Sequence, residues 1–336
     1  KARHVVHIHM AYSDSNALFA KILLTFDINA KQPFNYEKFQ TLCVRIFSED
    51  EVEQNELRVR EIFELFDANA DGVLSNEELY RCCMWIHTIM NPITVLLVVD
   101  VQNDFIDGTL ALRKFGQEGL EVVEPINWLL REGHWDEVIY IQDWHPKNHI
   151  SFFENLAMRE LHPTSEVTKE TAKPFDTVVF LQPHVTQVLW PRHCVKNTWG
   201  AELHKDLLIL PSSKRLYKGQ DPDKESYSAF EKDAQGFIKL EEILLAVGAT
   251  LLFVCGLTYD ICVKETCLDG LRLGYPVAVI KDCCRSTKPD EIMTESYIEN
   301  GALVAHSDRI LSMVNEHKHS LVMAHHAAKN ISKLNF

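Results

Sequence analysis

"TLLFVCGLTYDICVKE", residues 250–265, runs from an apolar stretch through a glycine and a short polar turn to a second cysteine. Residues 250–255 read as a buried strand, Gly256 is expected to break it, and Asp260 to open a helix. Cys255 then belongs to a sheet core. Cys262 falls in the first helical turn, where unpaired N–H groups and the positive end of the helix dipole favour a thiolate. A free cysteine is more often a small buried hydrophobe. A catalytic role for Cys262 therefore needs a base, a polarising group and a substrate site from elsewhere in the chain.

The same strand-then-helix grammar repeats from Ile93 onward. "ITVLLVVD" (93–100), "EVIYIQDWH" (137–145), "RLYKG" (215–219), "VAVIKDC" (277–283) and "ALVAH" (302–306) are further strand candidates between amphipathic stretches. Such alternation predicts an α/β fold, a doubly wound, mostly parallel sheet with helices on both faces, whose ligands bind beyond the carboxyl ends of the strands. Asp100 ends one strand, Lys218 ends another and Cys262 lies just past a third. Brought together they suit an amidohydrolase: the carboxylate takes the thiol proton, the ammonium stabilises charge, and the thiolate attacks a carbonyl.

Two stretches add a metal. "IQDWHPKNHISFF" (141–153) offers Asp143 and His145 at an i, i+2 spacing that lets both face one side of an extended segment, with His149 four residues on. "LWPRHCVKNTWG" (189–200) offers His193. One carboxylate and two imidazoles leave open positions on Zn²⁺, with Fe²⁺ or Mn²⁺ as alternatives, as a substrate-binding site requires. His149 ranks behind these three, as a water-bridged neighbour. His317, His319, His325 and His326 are expected on a solvated helix face.

Ahead of the sheet, "DANADGVLSNEE" (67–78) sets Asp67, Asn69, Asp71, Val73 (through its carbonyl), Ser75 and Glu78 at the ligand positions of a calcium loop, with Gly72 at the sharp turn. It resembles an EF-hand. Residues 52–66 and 76–90 flank it with apolar residues at helical spacing. A mate precedes it at 27–38, "DINAKQPFNYEK", but Lys31, Gln32 and Lys38 replace an acceptor, the turn glycine and the bidentate glutamate. A lysine offers no acceptor oxygen and repels a dication, so this first loop should pack against the second, Phe34 meeting Leu74, without binding calcium. Asn91-Pro92 ends the last helix immediately before the first sheet strand. The expected division is therefore an all-α EF-hand pair in 1–91 docked on a hydrolase domain in 92–336.

The chain has 336 residues, 46% hydrophobic and 24% charged, with a net charge of −14. That balance argues against nucleic acid and anionic membranes as partners, and the longest apolar run, 93–99, is too short to span a bilayer. A small-molecule substrate is expected, and a homo-oligomer stays open. Nine cysteines without regular spacing do not read as a disulfide framework, and no signal peptide is evident, so a cytoplasmic protein, also compatible with the nucleus, is expected. The sequence begins at Lys1, which leaves an upstream targeting segment open.

"LLVVDVQNDF" (96–105), "DWHPKNHISF" (143–152), "WPRHCVKNTWG" (190–200), "YKG" with "SYSAF" (217–219, 226–230) and "GLTYDICVKET" (256–266) occur in the order seen in nicotinamidases of the isochorismatase-like hydrolase superfamily. The chain resembles that family over roughly 93–312, and a calcium loop ahead of the hydrolase is similar to the arrangement in some invertebrate members. The resemblance implies hydrolysis of nicotinamide to nicotinic acid and ammonia, feeding NAD salvage. It implies Asp100 as general base, Lys218 as its partner, and Cys262 as the nucleophile of a thioester intermediate. It further implies an oxyanion hole from the N–H groups of Thr258 and Cys262 after a cis Leu257–Thr258 peptide, and Asp143, His145 and His193 around a metal that holds the pyridine nitrogen. Phe105, Trp190 and Tyr227 would wall the pocket. The stretch "GQDPDKES" (219–226) is longer than in the shortest family versions. Two rival readings remain: a hydrolase of another small amide or ureido compound, and a calcium-responsive binding protein with an inactive hydrolase domain. Isochorismatase itself is disfavoured, since vinyl-ether hydrolysis needs no nucleophilic cysteine.

Overall fold

The computed structural model describes residues 12–288 and 291–334. The N-terminal region holds α1 (Tyr12–Thr25), β1 (Phe34–Asn35), α2 (Tyr36–Phe47), α3 (Glu49–Gln54), α4 (Glu56–Phe66), β2 (Val73–Leu74) and α5 (Asn76–Met90). The two loops meet through antiparallel β1 and β2, with Phe34 opposite Leu74. Helix α5 starts with a capping box, Ser75 and Glu78 each bonding the other's backbone N–H. The run expected as one helix over 52–66 is broken at Asn55. There the side-chain amide donates to Glu51 O (2.9 Å) and offers the chain an alternative to helix continuation. Phe39, Val59, Ile62, Phe66 and Trp85 are sealed in this region's core.

The larger region is built on six strands: β3 (Thr94–Val99), β4 (Glu137–Asp143), β7 (Lys214–Lys218), β8 (Leu251–Leu257), β9 (Val277–Arg285) and β10 (Leu303–Ala305). All neighbours pair in parallel, in the order β10-β9-β8-β3-β4-β7. All six residues of β3 are buried, as a central strand covered on both faces requires. The chain starts in mid-sheet and reverses direction of growth between β3 and β8. That switch point opens a crevice at their carboxyl ends, the place where such sheets bind ligands. The short α6 (Asn103–Ile106) follows β3, and α7 (Val123–Glu132), α8 (Lys239–Val247), α9 (Cys262–Arg272), α10 (Glu291–Glu299) and α11 (Ser307–Asn315) connect and cover the later strands.

Three expectations are corrected. Gly256 does not end β8, which continues to Leu257. At φ +114 the glycine lies so close to β3 that a Cβ would sit 2.0 Å from Val99 O, so only a residue without a side chain extends the strand there. The helix after it opens at Cys262 rather than Asp260. The third concerns the C-terminal helix α12 (Leu321–Ile331), assigned with 92–336 to the hydrolase. Leu321, Ala324, Ala327, Ala328 and Ile331 are buried in the N-terminal apolar cluster instead. Trp85 Nε1 donates to Ala324 O (2.8 Å), and Glu51 accepts from Leu321 N (3.0 Å) at the helix start. His317 is exposed, whereas His319, His325 and His326 are half-buried rather than solvated, because α12 lies between the two regions. On its other side Asn330 Nδ2 donates to Gly274 O (2.8 Å), just beyond α9.

A two-stranded antiparallel hairpin, β5 (Thr177–Phe180) and β6 (Val185–Val188), was not foreseen. It turns through a cis Gln182–Pro183 bond and carries its own small core of Ile150, Leu156, Val178, Phe180 and Leu189. Among the described residues no helix is long and apolar enough to cross a membrane.

Candidate active site

The carboxyl ends of β3, β4, β7 and β8 converge on one buried cluster. Asp100 follows β3 and is fully buried, Asp143 ends β4, Lys218 ends β7, and Cys262 is the first residue of α9. Lys218 Nζ stands 3.0 Å from Asp100 Oδ2, 2.5 Å from Asp143 Oδ1 and 3.4 Å from Cys262 Sγ. Cys262 Sγ and carboxylate oxygens of Asp100 and Asp143 lie within 4.8 Å of one another. One ammonium thus serves two carboxylates and a sulfur, and the buried charges spread their proton affinities. Burial lifts the Asp100 carboxyl to about 7 against the opposing pull of Lys218. Asp143 moves the other way: burial raises it, but Lys218 and then His145 outweigh that and hold it far below the usual carboxylate range. Lys218 is disfavoured as a cation by burial, yet the two carboxylates push it well above the usual lysine range.

Burial also pushes the Cys262 thiol well up, with Lys218 only partly offsetting it. The thiolate expected from the helix N-terminus alone is therefore not the resting form. The proton has to leave as attack occurs, and Asp100, whose carboxylate lies within 4.8 Å of Sγ, can take it. The Thr258 carbonyl accepts from the N–H groups of Ile261 and Val263 (both 3.1 Å), turning the chain into α9, and the Leu257–Thr258 bond is cis.

Next to the triad, His145 Nδ1 bonds Gly219 O (2.8 Å) and His193 Nδ1 bonds Pro191 O (2.8 Å). A carbonyl only accepts, so both rings carry a proton on Nδ1 and turn Nε2 inward. These Nε2 atoms stand 3.5 and 3.9 Å from Asp143 Oδ2, and that of His145 is buried without a hydrogen-bond partner. Two imidazole Nε2 atoms and a carboxylate oxygen facing one point, each ring oriented by a carbonyl behind it, is a donor set that fits a divalent transition metal, which would displace a proton from His145 Nε2 on binding. Gly219 makes room for it: at φ +66, its Cβ would fall 2.4 Å from the His145 ring. Burial disfavours charge on His145, but Asp143 outweighs it and pushes the imidazole up to about 9. His149 is oriented differently. Its Nε2 meets Lys224 O (3.1 Å), its Nδ1 meets Ser151 Oγ (2.7 Å), and its ring stacks on His145 at 4.2 Å. Both nitrogens being engaged, it backs His145 rather than facing the same point, and burial pushes it down to about 4.

A cavity of about 460 Å³, open mouth included, reaches Cys262, Asp143 and His193, with Phe105, Trp190 and Tyr227 all in its wall. Trp190 Nε1 donates to Tyr227 Oη (3.0 Å), which ties Tyr227 into the wall despite the long stretch before it. Sequence reasoning missed Leu110, Leu112, Phe115, Glu225, Ile261 and Thr287 in the same lining. It also missed two supports. Gln102 accepts from Asp143 N (2.8 Å) and donates to Asp143 O (2.9 Å), clamping that residue's backbone, and Asp104 accepts from Cys194 N (2.7 Å), next to His193. The polar "QND" (102–104), just past Asp100 and Val101, was the available signal for both.

The second candidate site is the loop pair. In loop 67–78, Asp67 accepts from Asp71 N (3.2 Å) and Gly72 N (2.9 Å), and Glu78 accepts from Ala68 N (2.8 Å) and Ser75 N (2.8 Å). In loop 27–38, Lys38 Nζ donates to Pro33 O (2.7 Å), the carbonyl at the position where a calcium loop uses its backbone ligand.

The Isochorismatase domain model matches residues 94–300. The nicotinamidase of Saccharomyces cerevisiae is 35% identical over 206 residues, covering 58% of this chain and 89% of that protein. Among solved structures, a nicotinamidase from Acinetobacter baumanii is 33% identical with a TM-score of 0.54, over 66% of this chain and 99% of that one. The yeast nicotinamidase bound to the inhibitor nicotinaldehyde is 31% identical with a TM-score of 0.52, over 63% and 99%.

Proposed function

Because the chain belongs to the isochorismatase family and is an amidohydrolase related to its nicotinamidases, we propose that it hydrolyses nicotinamide to nicotinic acid and ammonia, supplying NAD salvage. The observation that carries this reading is the Asp100–Lys218–Cys262 cluster beside the inward-facing Asp143, His145 and His193 set. Asp100 takes the Cys262 proton while Sγ bonds to the carboxamide carbon. N–H groups of Thr258 and Cys262 receive the oxyanion. Collapse breaks the C–N bond, and Asp100 returns the proton to the departing ammonia. The thioester is cleaved by water deprotonated by Asp100, which releases nicotinic acid and the thiol. Lys218 stays protonated throughout, keeping Asp100 and Asp143 from repelling each other. Zn²⁺ suits the donors best, with Fe²⁺ or Mn²⁺ as alternatives; when bound it supplies a Lewis acid for the pyridine nitrogen. Phe105, Trp190 and Tyr227 hold the ring. The yeast relative's complex with nicotinaldehyde, a pyridine carbonyl compound, supports the same substrate class.

We further infer that residues 1–91 act as a calcium-binding unit through Asp67, Asn69, Asp71, the Val73 carbonyl, Ser75 and Glu78, while the first loop carries the Lys38 ammonium in place of an ion. Ammonia release from nicotinamide, followed for the purified protein beside Cys262→Ala, tests the enzymatic reading. The expected loss is at least about 10³-fold. Equal release by both proteins would remove the thiol from the mechanism, and none from the metal-loaded wild type would overturn the substrate.

A further inference from the structure

Phe175 lies outside the pocket lining yet touches both of its lips. Its ring centroid is 5.6 Å from Phe115 and 5.9 Å from Trp190, edge-on to each, with interplanar angles of 82° and 81°. Phe115 comes from the segment after α6 and Trp190 from the segment after β6; these segments are tied deeper in the site, where Asp104 accepts from Cys194 N and Phe105 packs on His193, and Phe175 joins the two rings themselves. Edge-to-face contacts are directional. A ring that makes one to each wall at once sets the gap between them.

The backbone under Phe175 is built to keep it there. Its φ is +75, a conformation costly for any residue with a side chain and usually left to glycine. The conformation is pinned from both sides: Phe175 N donates to Leu189 O (2.6 Å), and Leu189 N donates to Asp176 O (2.8 Å). Leu189 immediately precedes Trp190 and sits in the hairpin's own apolar core, so the wedge and one of the walls share a rigid mount. Nearly half of the Phe175 surface, 46%, remains in solvent, which the ring's own burial does not explain. A large aromatic left half exposed on a strained backbone has little to contribute to folding. Its contacts point to the mouth of the pocket.

We propose that Phe175 is a positioning residue that sets the size limit for substrate, holding Phe115 and Trp190 at the spacing of a single aromatic ring and rejecting ring-fused amides. The inference rests on the amidohydrolase reading above and refines its substrate class to monocyclic aromatic carboxamides. Removing the ring empties the space between Phe115 and Trp190 and admits a second fused ring there, without touching Cys262, Asp100 or Lys218.

The test compares kcat/KM for nicotinamide and quinoline-3-carboxamide in the wild type, Phe175→Gly and Phe175→Trp. Glycine suits the positive φ, so loss of folding is not at issue, and the melting temperature is expected to hold or rise. The ratio of the bicyclic to the monocyclic amide should rise at least about 10-fold in Phe175→Gly, roughly the discrimination that contact with a few ring atoms confers, and stay at the wild-type value in Phe175→Trp. A merely structural role would lower both rates together and leave the ratio unchanged, and that result overturns the proposal. Binding of nicotinate and quinoline-3-carboxylate to Cys262→Ala, with and without Phe175→Gly, reads the same limit without turnover. If the wild type releases no ammonia from nicotinamide, the proposed function fails, while the binding ratio still decides for or against the wedge.

Discussion

The hydrolase cluster and the second helix-loop-helix loop are both groups of carboxylates, and they behave as opposites. In the cluster, Asp100 and Asp143 are sealed from water, and one ammonium between them has to balance both. In the loop, Asp71 stands in solvent, while Asp67 and Glu78 are buried and held by backbone N–H groups. Charged neighbours make the difference. Burial raises both Asp100 and Asp143, but Lys218 and then His145 hold Asp143 far below the usual range while Asp100 rises to about 7, so two chemically identical side chains come to differ in proton affinity. In the loop, backbone N–H groups rather than an ammonium hold the buried carboxylates, at the spacing of calcium-loop ligands.

The comparison breaks most severely at Lys218. Lys218→Met leaves two carboxylates buried face to face, a cost of about 3–5 kcal/mol in stability, and amide hydrolysis should fall at least about 10³-fold. Chemical denaturation and ammonia release measure the two effects. A variant as stable as the wild type would mean that the pair was never charged together.

A pH profile sharpens the same point with a smaller effect. The folded pKa of Asp100 is raised, so the neutral acid gains as pH falls through about 7, and only the carboxylate can take the thiol proton. With metal held constant, kcat/KM should therefore drop about tenfold per unit below pH 6 and level off above 8. Lys218, held protonated well beyond the usual lysine range, adds no loss on the alkaline side near neutrality. A flat profile between pH 5.5 and 8 would remove Asp100 as the base.

At the loop the expected change is smaller still. Calcium at a hundred times its dissociation constant should stabilise the protein by about 2.7 kcal/mol, seen as a rise of a few degrees in melting temperature. Glu78→Gln should abolish that rise while ammonia release without calcium stays as in the wild type. A calcium-dependent rise that survives the substitution would move the ion elsewhere.

Much of this was legible in the chain, for a common reason. The strand ends carrying Asp100, Asp143 and Lys218, the turn carrying Cys262 and the calcium-loop spacing are local patterns of period two, period 3.6 or fixed ligand offset. Local pattern also misled, at Gly256 and Asn55. In the first case a long-range approach to Val99 turned a breaker into a strand residue, and in the second a side chain bonded its own backbone and split a helix. The candidate site was readable in its charged members, which are rare after apolar runs. Its apolar lining was not, because Leu110, Leu112, Phe115 and Ile261 look like any other packing residues until the cavity exists.

By itself, then, the amino-acid sequence determined the parallel α/β architecture, the residues available for chemistry and which of two loops lacks calcium ligands. Tertiary structure alone decided which protons those residues hold, how wide the pocket is, and where α12 goes. The Trp85 indole that receives α12 bonds a carbonyl 239 residues away, and no local periodicity encodes such a contact. Proton affinity is likewise a property of burial and of neighbours from four different strands, created only when the chain closes around them.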